Sequence, residues 1–553
     1  MNEKLRNAFR SFWVIFSREL VILWLFGLAL SFALIILSNK GKLPLGKGDF
    51  VFFSIITLLS ALYRPRWAFF IFIILIPLEN IILASGFLPF QLRPYQFMGA
   101  VIILALIILY IFKRLNFKIL KPIWLDWLVF SLAPLGFLAS VNAPNKAFAL
   151  RQALILLSFV VLYYLIRVFL RTKEDLIKAG FFFLGSLIVV VGYGFYQVLV
   201  DKFGGQSFEV MFGRPNAAFA EPDWLGIFLC FALTVLLTAI FYLNRIPPLE
   251  KGEKFSLLVI LYALVFLTIT LLILTLARSA WVGATAVIIF YLFFSLYRKT
   301  KSGIAWETKK FVGQFIVIAL LFAVSLGVIH FGELSKFDVL DRFRSAATSE
   351  QKITIACEKN SRIPESITSA EKLENYNCRH INLEEIESYK SQGKIVTQVY
   401  RKDPNVKTRS EIYRESFKVI KEHPVLGIGY GSVTERLGAD ERGAGLNESN
   451  IFLQVWSGSG ILGLIVFTAV IIYLFTASFR KLSPFCKFCP LSGWLNCSTV
   501  EGELDKTVSI FVILGIIALV IPNLFNAGLL MGLFWLGMAW MLSVICLRVK
   551  GEA

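Results

Sequence analysis

The chain has 553 residues, of which 57% are hydrophobic and 53 are phenylalanine, and its 56 basic and 37 acidic side chains give a formal net charge of +19. A soluble globular protein cannot bury so much apolar surface, because a large share of any fold stays exposed to water. The composition excludes a soluble globule, a disordered chain, a disulfide scaffold and a nucleic-acid-binding globule. It predicts a polytopic membrane protein.

Fourteen apolar segments are predicted to cross the membrane, since a spanning helix needs about 20 mostly apolar residues. They lie at about 20–38, 49–62, 66–83, 96–112, 123–141, 150–168, 178–199, 223–243, 255–276, 279–297, 311–330, 451–478, 507–525 and 527–547. The second is short, and only Ala277 and Arg278 separate the ninth from the tenth. We therefore expect an all-α fold with about 14 transmembrane helices.

The distribution of basic residues predicts the orientation of these helices. An even number of spans places both termini on one side, whose loops and tails are rich in Lys and Arg, among them Arg10, Arg18, Lys113, Lys121 and Lys310. Because cytoplasmic loops carry an excess of basic residues, we expect both termini in the cytoplasm. No cleavable signal peptide is apparent, so the first helix should act as a signal anchor.

One long polar segment, 331–450, interrupts the series of helices. It holds 19 basic and 19 acidic residues and is therefore nearly neutral. In the predicted orientation it is a large periplasmic loop, and its part 349–408 shows little periodicity and is expected to be irregular. The loop separates the N-terminal helices of 1–204 and the helices of 205–330 from the C-terminal helices of 451–553.

Residues 409–422 are predicted to form an amphipathic helix within the loop. Ile412, Phe417 and Ile420 fall on roughly one side of such a helix. Pro424 would end it, and the glycine-rich run that follows, 427–431, would form a tight turn. We call this run the glycine-rich turn.

Few residues suit metal binding or redox chemistry. Cys357 and Cys378 lie in the large loop and would either form a disulfide in an oxidising compartment or stay as free thiols. A further group, Cys486, Cys489 and Cys497, lacks the fourth ligand of a zinc site. With three histidines and no HExxH, P-loop or Rossmann pattern, we expect no metal ion, no cofactor and no ATP-driven pump.

Charged residues occur where outer stretches meet predicted helices. Arg214 and Glu221 precede the eighth helix together with Asp223, which suits a helix cap, whereas Glu221 is placed to accept a proton from a sugar hydroxyl. Arg278 lies between two apolar helices, where it either reaches the membrane surface or binds an anion. Its forked donors suit a phosphate. Arg409 opens the amphipathic helix.

The order of these features resembles the bacterial O-antigen ligase and O-antigen polymerase superfamily of integral-membrane glycosyltransferases. The matching pieces are 214–226, the Ala-Arg-Ser element at 277–279, the "R…hPxxGxGxG" stretch at 409–431 and a re-entry segment at 447–463. They surround one long loop, as in the family. The resemblance covers about 205–475.

The resemblance implies a GT-C-like fold and a glycosyltransferase that uses undecaprenyl-diphosphate-linked glycans on the periplasmic face of the inner membrane. Members of the family build lipopolysaccharide and other surface polysaccharides, and their acceptor is a glycan, the lipid A core or a protein. Arg278 and Arg409 match the family's diphosphate-binding arginines, and Arg214 would assist them. Fixed guanidinium groups would stabilise the charge that develops on a diphosphate leaving group.

The family's usual histidine is absent from this chain. It would precede the position of Asn450, where Ser449 stands instead, and a serine cannot replace an imidazole base. Glu221 or Glu448 would then deprotonate the acceptor, supported by Asn447, Ser449 and Asn450. On composition alone, 447–450 would form only a polar cap before a helix.

Two alternatives to a glycan ligase or polymerase stay open. Fourteen helices also suit a lipid-linked oligosaccharide flippase, although such transporters are expected to show two similar halves, which this chain lacks. The missing histidine also suits a catalytically inactive relative that binds the lipid carrier.

Overall fold

The computed structural model describes most of the chain. The described residues are 17–84, 91–115, 117–205, 213–245, 251–300, 303–337, 339, 341–342, 350–359, 361, 363–368, 370–381, 385–402, 404–438, 445–482 and 503–546. The predictions for Cys486, Cys489 and Cys497 fall outside them.

The chain is mostly helical, with seventeen α-helices among the described residues. They are α1 (Arg18–Asn39), α2 (Lys47–Tyr63), α3 (Pro65–Leu75), α4 (Pro94–Ile111), α5 (Trp124–Ala139), α6 (Lys146–Phe169), α7 (Lys173–Lys202), α8 (Pro222–Arg245), α9 (Lys251–Leu274), α10 (Arg278–Leu296), α11 (Thr308–Phe331), α12 (Ile386–Ser391), α13 (Pro404–Glu422), α14 (Ser432–Leu437), α15 (Ile451–Leu482), α16 (Glu503–Asn523) and α17 (Gly532–Cys546).

Eleven of the described helices are long and apolar enough to cross a membrane. The predicted spans at 49–62, 66–83 and 527–547 correspond to the shorter helices α2, α3 and α17, of 17, 11 and 15 residues. The structure therefore has the helices expected of a polytopic membrane protein. The number fourteen stays a prediction.

The helix α8 lies at the centre of the bundle. It packs against α9, α10 and α16, while α16 also contacts α15 and α17. Of the most apolar stretch of α8, 83% is buried, against 17% for α11. Large apolar side chains of α11 such as Phe315, Ile316 and Leu320 are exposed, as expected for a helix that faces lipid.

A buried ion pair joins α5, α6 and α17. The Arg167 Nε lies 3.1 Å from the Asp126 carboxylate, which also accepts a hydrogen bond of 2.6 Å from the Tyr163 hydroxyl. A second guanidinium nitrogen of Arg167 donates to Ser543 Oγ at 3.2 Å. Buried charges are tolerated only when paired and hydrogen-bonded in this way.

The end of the helix bundle opposite the Asp126–Arg167 ion pair lies close to the segment 331–450. We call this end of the bundle the loop end. The Asn142 side chain donates to the Gly427 carbonyl at 3.1 Å. Lys336 pairs with Asp201 at the end of α7, at 2.7 Å. The loop thus contacts the helices both near its start, at Lys336, and near its end, at Gly427.

The loop contains a four-stranded sheet, so the expectation of an irregular 349–408 was wrong, and the mostly helical chain also has strands. Its strands, in the order β4–β6–β3–β5, are β3 (Glu350–Cys357), β4 (Ser366–Ile367), β5 (Cys378–His380) and β6 (Ile395–Lys402). A hairpin of β1 (Tyr297–Thr300) and β2 (Gly303–Trp306) precedes α11.

The sheet has a small apolar core of its own. Ile353, Ile355 and Cys357, at alternate positions of β3 and hence on one face of the strand, belong to this core. Thr354 and Ala356 on the other face are also buried. A disulfide joins Cys357 to Cys378, which are paired across β3 and β5. Three alternating positions are too few to mark a strand securely in a polar segment.

The amphipathic helix α13 begins at Pro404, five residues before its predicted start. Its buried face carries Ile412, Val419 and Ile420, whereas Phe417 is 48% exposed. The prediction that Phe417 belongs to the buried face was wrong, because Ser416 occupies that position of the contact instead.

The helix α15 is interrupted at Gly460, whose φ of 67° and ψ of −172° are not helical. The loop fills the gap, since the Ile461 amide donates to the Pro424 carbonyl at 3.1 Å and the Ile428 amide donates to the Ser457 carbonyl at 2.8 Å. A break in a helix is tolerated in apolar surroundings only where other groups satisfy its backbone. The glycine-rich turn therefore docks onto the break.

Tyr430 secures this docking by entering the helix bundle. Its ring lies between Gly136 of α5 and Gly458 of α15, where a Cβ on either glycine would press against it. Its hydroxyl is 3.0 Å from Ser459 Oγ. The large loop is thus anchored between two helices.

Replacing Gly460 by alanine is expected to destabilise the protein by at least about 1–3 kcal/mol, the usual cost of a backbone conformation that only glycine adopts readily. A Cβ at this position would also overlap the Val425 carbonyl oxygen. Thermal unfolding in detergent is the measurement. Gly313→Ala in α11 is the control, since a Cβ there meets nothing within 4 Å. Equal melting temperatures for the two variants would contradict the docking.

Removing the disulfide with Cys357→Ser is expected to destabilise the sheet by about 3 kcal/mol, since the bond closes a loop with a sequence separation of 21. Limited proteolysis should then cut within 350–402 faster than in the wild type. A reducing agent should bring the wild type to the rate of the variant and leave the variant unchanged. Cleavage of the wild type that is insensitive to reduction would contradict this prediction.

Candidate functional site

The connection between α16 and α17 meets two of the predicted site residues. We call residues 524–526 the 524–526 turn. The Asn450 side chain donates to the Leu524 carbonyl at 3.0 Å. The guanidinium carbon of Arg409 lies 5.5 Å from the centroid of the Phe525 ring, within the range of a cation–π contact.

The same turn reaches the arginine between α9 and α10. The Asn526 side chain donates to Ser279 Oγ at 3.1 Å, and Ser279 directly follows Arg278 at the start of α10. Arg278 is half-buried. The 524–526 turn therefore brings together the neighbourhoods of Arg278, Arg409 and Asn450, which are far apart in the sequence.

Arg214 is bound to the same region. Its Nε donates to the Thr275 carbonyl at 2.9 Å, in the tight turn just before Arg278. Its guanidinium also lies 3.8 Å from the Asp223 carboxylate, at the start of α8. Asp223 was expected to serve as a helix cap, and the structure shows it as a charge partner of Arg214.

The stretch that carries Arg214 is held in place by a buried glutamine of α7. The Gln197 side-chain oxygen accepts from the amides of Asn216 and Ala217 at 3.2 and 2.8 Å. Its amide nitrogen donates to Asn216 Oδ1 at 3.2 Å. These bonds satisfy backbone groups that would otherwise be buried without partners.

The re-entry segment forms a cap and also contacts the site. Asn450 Oδ1 accepts from the amides of Phe452 and Leu453 at 2.9 and 3.2 Å, as an N-cap of α15 does. Asn447 Oδ1 accepts from the Ser449 amide at 2.9 Å. Ser449 has a positive φ of 48°. The segment is therefore a tight polar turn fixed by its own side chains.

The two candidate bases lie in different environments. Glu448 is 2% exposed, and its carboxyl oxygen accepts a hydrogen bond of 2.9 Å from Ser457 Oγ. Burial raises the pKa of the Glu448 carboxyl above its ordinary value. Glu221 is half-buried at the start of α8, where its backbone carbonyl accepts from the amides of Trp224 and Leu225.

The described residues contain no group of three or more His, Cys, Asp or Glu side chains that could hold a metal ion. The charged side chains of the candidate site at this end of the bundle are the guanidinium groups of Arg214, Arg278 and Arg409 and the carboxyls of Asp223, Glu221 and Glu448. Such an arrangement suits an anionic ligand with a proton-accepting group beside it.

Comparison with known proteins identifies the central part of the chain. A model of the O-antigen ligase family matches residues 263–468. The predicted resemblance to the O-antigen ligase and polymerase superfamily is confirmed. The match supports a role in membrane glycosyl transfer in general. It includes Arg278, Arg409 and the re-entry segment, whereas Arg214 and Glu221 lie before it. No curated protein matches the chain.

The sequence did not reveal the 524–526 turn or Gln197 as parts of the site. A weak signal exists for the turn, since Asn523 and Asn526 interrupt an otherwise apolar run where the predicted spans 507–525 and 527–547 meet. Gln197 is likewise an isolated polar residue in an apolar helix. Both are recognised only through partners distant in the sequence.

The pKa of Glu448 makes a testable statement about stability. The folded protein binds this proton more tightly than the unfolded chain, whose carboxyl titrates near 4.5, so stability should fall as the pH rises from about 4.5 through the raised pKa. Glu448→Gln keeps the shape and can still accept from Ser457. Its melting temperature should depend less on pH in this range than that of the wild type. Parallel pH profiles would contradict the prediction.

Proposed function

We propose that this protein is a membrane glycosyltransferase that ligates or polymerises undecaprenyl-diphosphate-linked glycans on the periplasmic face of the inner membrane. The observation that carries the proposal is the 524–526 turn. It contacts Arg409 and Asn450 directly and reaches Arg278 through Ser279. This places residues of separate stretches of the O-antigen ligase match around one turn.

The arginines would bind the diphosphate of the lipid-linked donor. Arg278 and Arg409 would hold the phosphate oxygens, and Arg214, fixed by the Thr275 carbonyl, would keep positive charge beside them. Guanidinium groups form paired hydrogen bonds with phosphates and keep their charge at any physiological pH. Held by helices and tight turns, they would stabilise the leaving group without rearrangement during the reaction.

The reaction would be a single displacement at the anomeric carbon. A carboxylate, Glu221 or Glu448, accepts the proton of the acceptor hydroxyl, and the oxygen forms a bond to that carbon. The bond from the carbon to the diphosphate oxygen breaks, and undecaprenyl diphosphate leaves with the electron pair. Direct attack inverts the anomeric configuration.

The loop end would face the periplasm. The basic residues predict cytoplasmic termini, which puts 331–450 on the opposite side. The disulfide between Cys357 and Cys378 supports this, because disulfides persist in oxidising compartments. The acceptor would be a growing glycan, the lipid A core or a protein, in the synthesis of lipopolysaccharide or another surface polysaccharide.

A second candidate is a catalytically inactive relative that binds the lipid carrier. Ser449 stands where the family's histidine is expected, and Glu448 beside it is enclosed by protein. Such a protein would bind undecaprenyl diphosphate but would not transfer a glycan from the lipid-linked donor.

The arginines give a test with a matched control on the same helix. Arg409→Ala and Arg278→Ala are each expected to lower kcat by roughly 10²–10³-fold, the effect of removing one preorganised donor to a developing charge. Arg414→Ala should leave the rate unchanged, because that side chain is 74% exposed. The assay follows undecaprenyl diphosphate and product by mass spectrometry. Equal rates for the Arg409 and Arg414 variants would refute the assignment.

Variants of the carboxyl groups separate the two candidate bases. Glu221→Gln or Glu448→Gln should abolish turnover in the one that is the base and leave the other active. A wild type that binds the carrier without any turnover would establish the inactive relative instead.

A further inference from the structure

A buried carboxylate lies beside the site without belonging to it. Glu79 follows α3 at the loop end, and its side chain is fully enclosed. One oxygen lies 2.7 Å from the Arg93 guanidinium and accepts a hydrogen bond of 3.0 Å from the Tyr95 hydroxyl. The other oxygen accepts from the Gly532 amide at 2.7 Å. A charge buried this deeply in a membrane protein is costly and is usually functional.

The partner of the second oxygen connects Glu79 to the site. Gly532 begins α17, directly after the connection that contains the 524–526 turn. A negative charge is favourable at a helix N-terminus, where amides lack partners within the helix. Within the same connection, the Leu529 amide donates to Gln454 Oε1 at 3.2 Å. The connection is therefore fixed at its end by Glu79 and in its middle by α15.

Asn80, the residue after Glu79, contacts the stretch that carries Arg214. The Asn80 amide donates to the Ala218 carbonyl at 2.8 Å, in the stretch between Arg214 and Glu221. Two successive residues thus contact both the start of α17 and the stretch of Arg214.

We propose that Glu79, fixed by Arg93 and Tyr95, is a positioning residue that sets the place of the 524–526 turn against Arg409 and Asn450. The proposal rests on the proposed function for its effect on the reaction. Glu79 touches neither donor nor acceptor; it acts through the Gly532 amide and the turn before it. Its loss would misplace the surroundings of the arginines, and a displacement of about 1 Å can lower the rate by on the order of 100-fold.

The chain contains its own control for a merely structural role. The cluster of Asp126, Arg167 and Tyr163 has the same chemistry, a buried carboxylate with one arginine and one tyrosine. It joins α5, α6 and the far end of α17, away from the loop end. If such clusters only stabilise the fold, equivalent substitutions in both should have equivalent effects.

The experiment compares Glu79→Gln with Asp126→Asn in the full-length protein. Both variants should lower the melting temperature. Glu79→Gln alone should lower kcat, by up to about 100-fold at equal folded protein, with a KM for the lipid-linked donor close to the wild-type value. It should also speed hydrogen exchange at the amides of 524–532, a measurement that does not depend on activity.

Tyr95→Phe and Tyr163→Phe form a milder pair in case the carboxylate variants do not fold. Only Tyr95→Phe should then lower kcat and speed exchange at 524–532. Equal kcat values within a pair of folded variants, or unchanged exchange at 524–532, would overturn the positioning role. A wild type without transfer activity would refute the proposed function, and the exchange measurement would still decide the role of Glu79.

Discussion

The arrangement of the whole loop end depends on one requirement, that backbone amides and carbonyls in apolar surroundings must find partners. The break at Gly460 releases such groups in α15, and the loop supplies their partners from Pro424 and Ile428. These bonds fix the end of α13 to the middle of α15. Arg409 on α13 and Asn450 before α15 are thereby held in one relation to each other, although a long stretch of chain separates them.

The second layer of organisation comes from the connection between α16 and α17. It contributes backbone carbonyls, an aromatic ring and an amide rather than charges, and with these it contacts Asn450, Arg409 and Ser279. The connection thus contacts these residues without adding a charge of its own. Glu79, in its buried cluster with Arg93 and Tyr95, binds the end of this connection through the Gly532 amide.

The sequence was sufficient for the features that depend on local composition. Apolar runs predicted the helices. Arg409 and the residue after Arg278, which are distant in the sequence, both contact the 524–526 turn, and the role of these arginines stays a prediction. It was insufficient where the structure depends on residues distant in the sequence. Phe417 is exposed because the segments that pack against α13 cover a different side of the helix. The sheet was missed because its strands are short and carry few apolar residues in a polar segment, such as Ile353, Ile355 and Cys357 of β3. The environment of Glu448, and hence its pKa, was also beyond local composition.

The docking of the glycine-rich turn divides the large loop into two parts with different freedom to change. The part from α13 onward is bonded to the helix bundle near Gly460. An insertion or deletion between Arg409 and these bonds would therefore move Arg409. The sheet before it has its own core and its own disulfide. Evolution can therefore lengthen, shorten or replace the sheet without disturbing the arginines. The surface that the sheet presents can thus diverge between related chains while the packing around Arg409 and Asn450 is conserved.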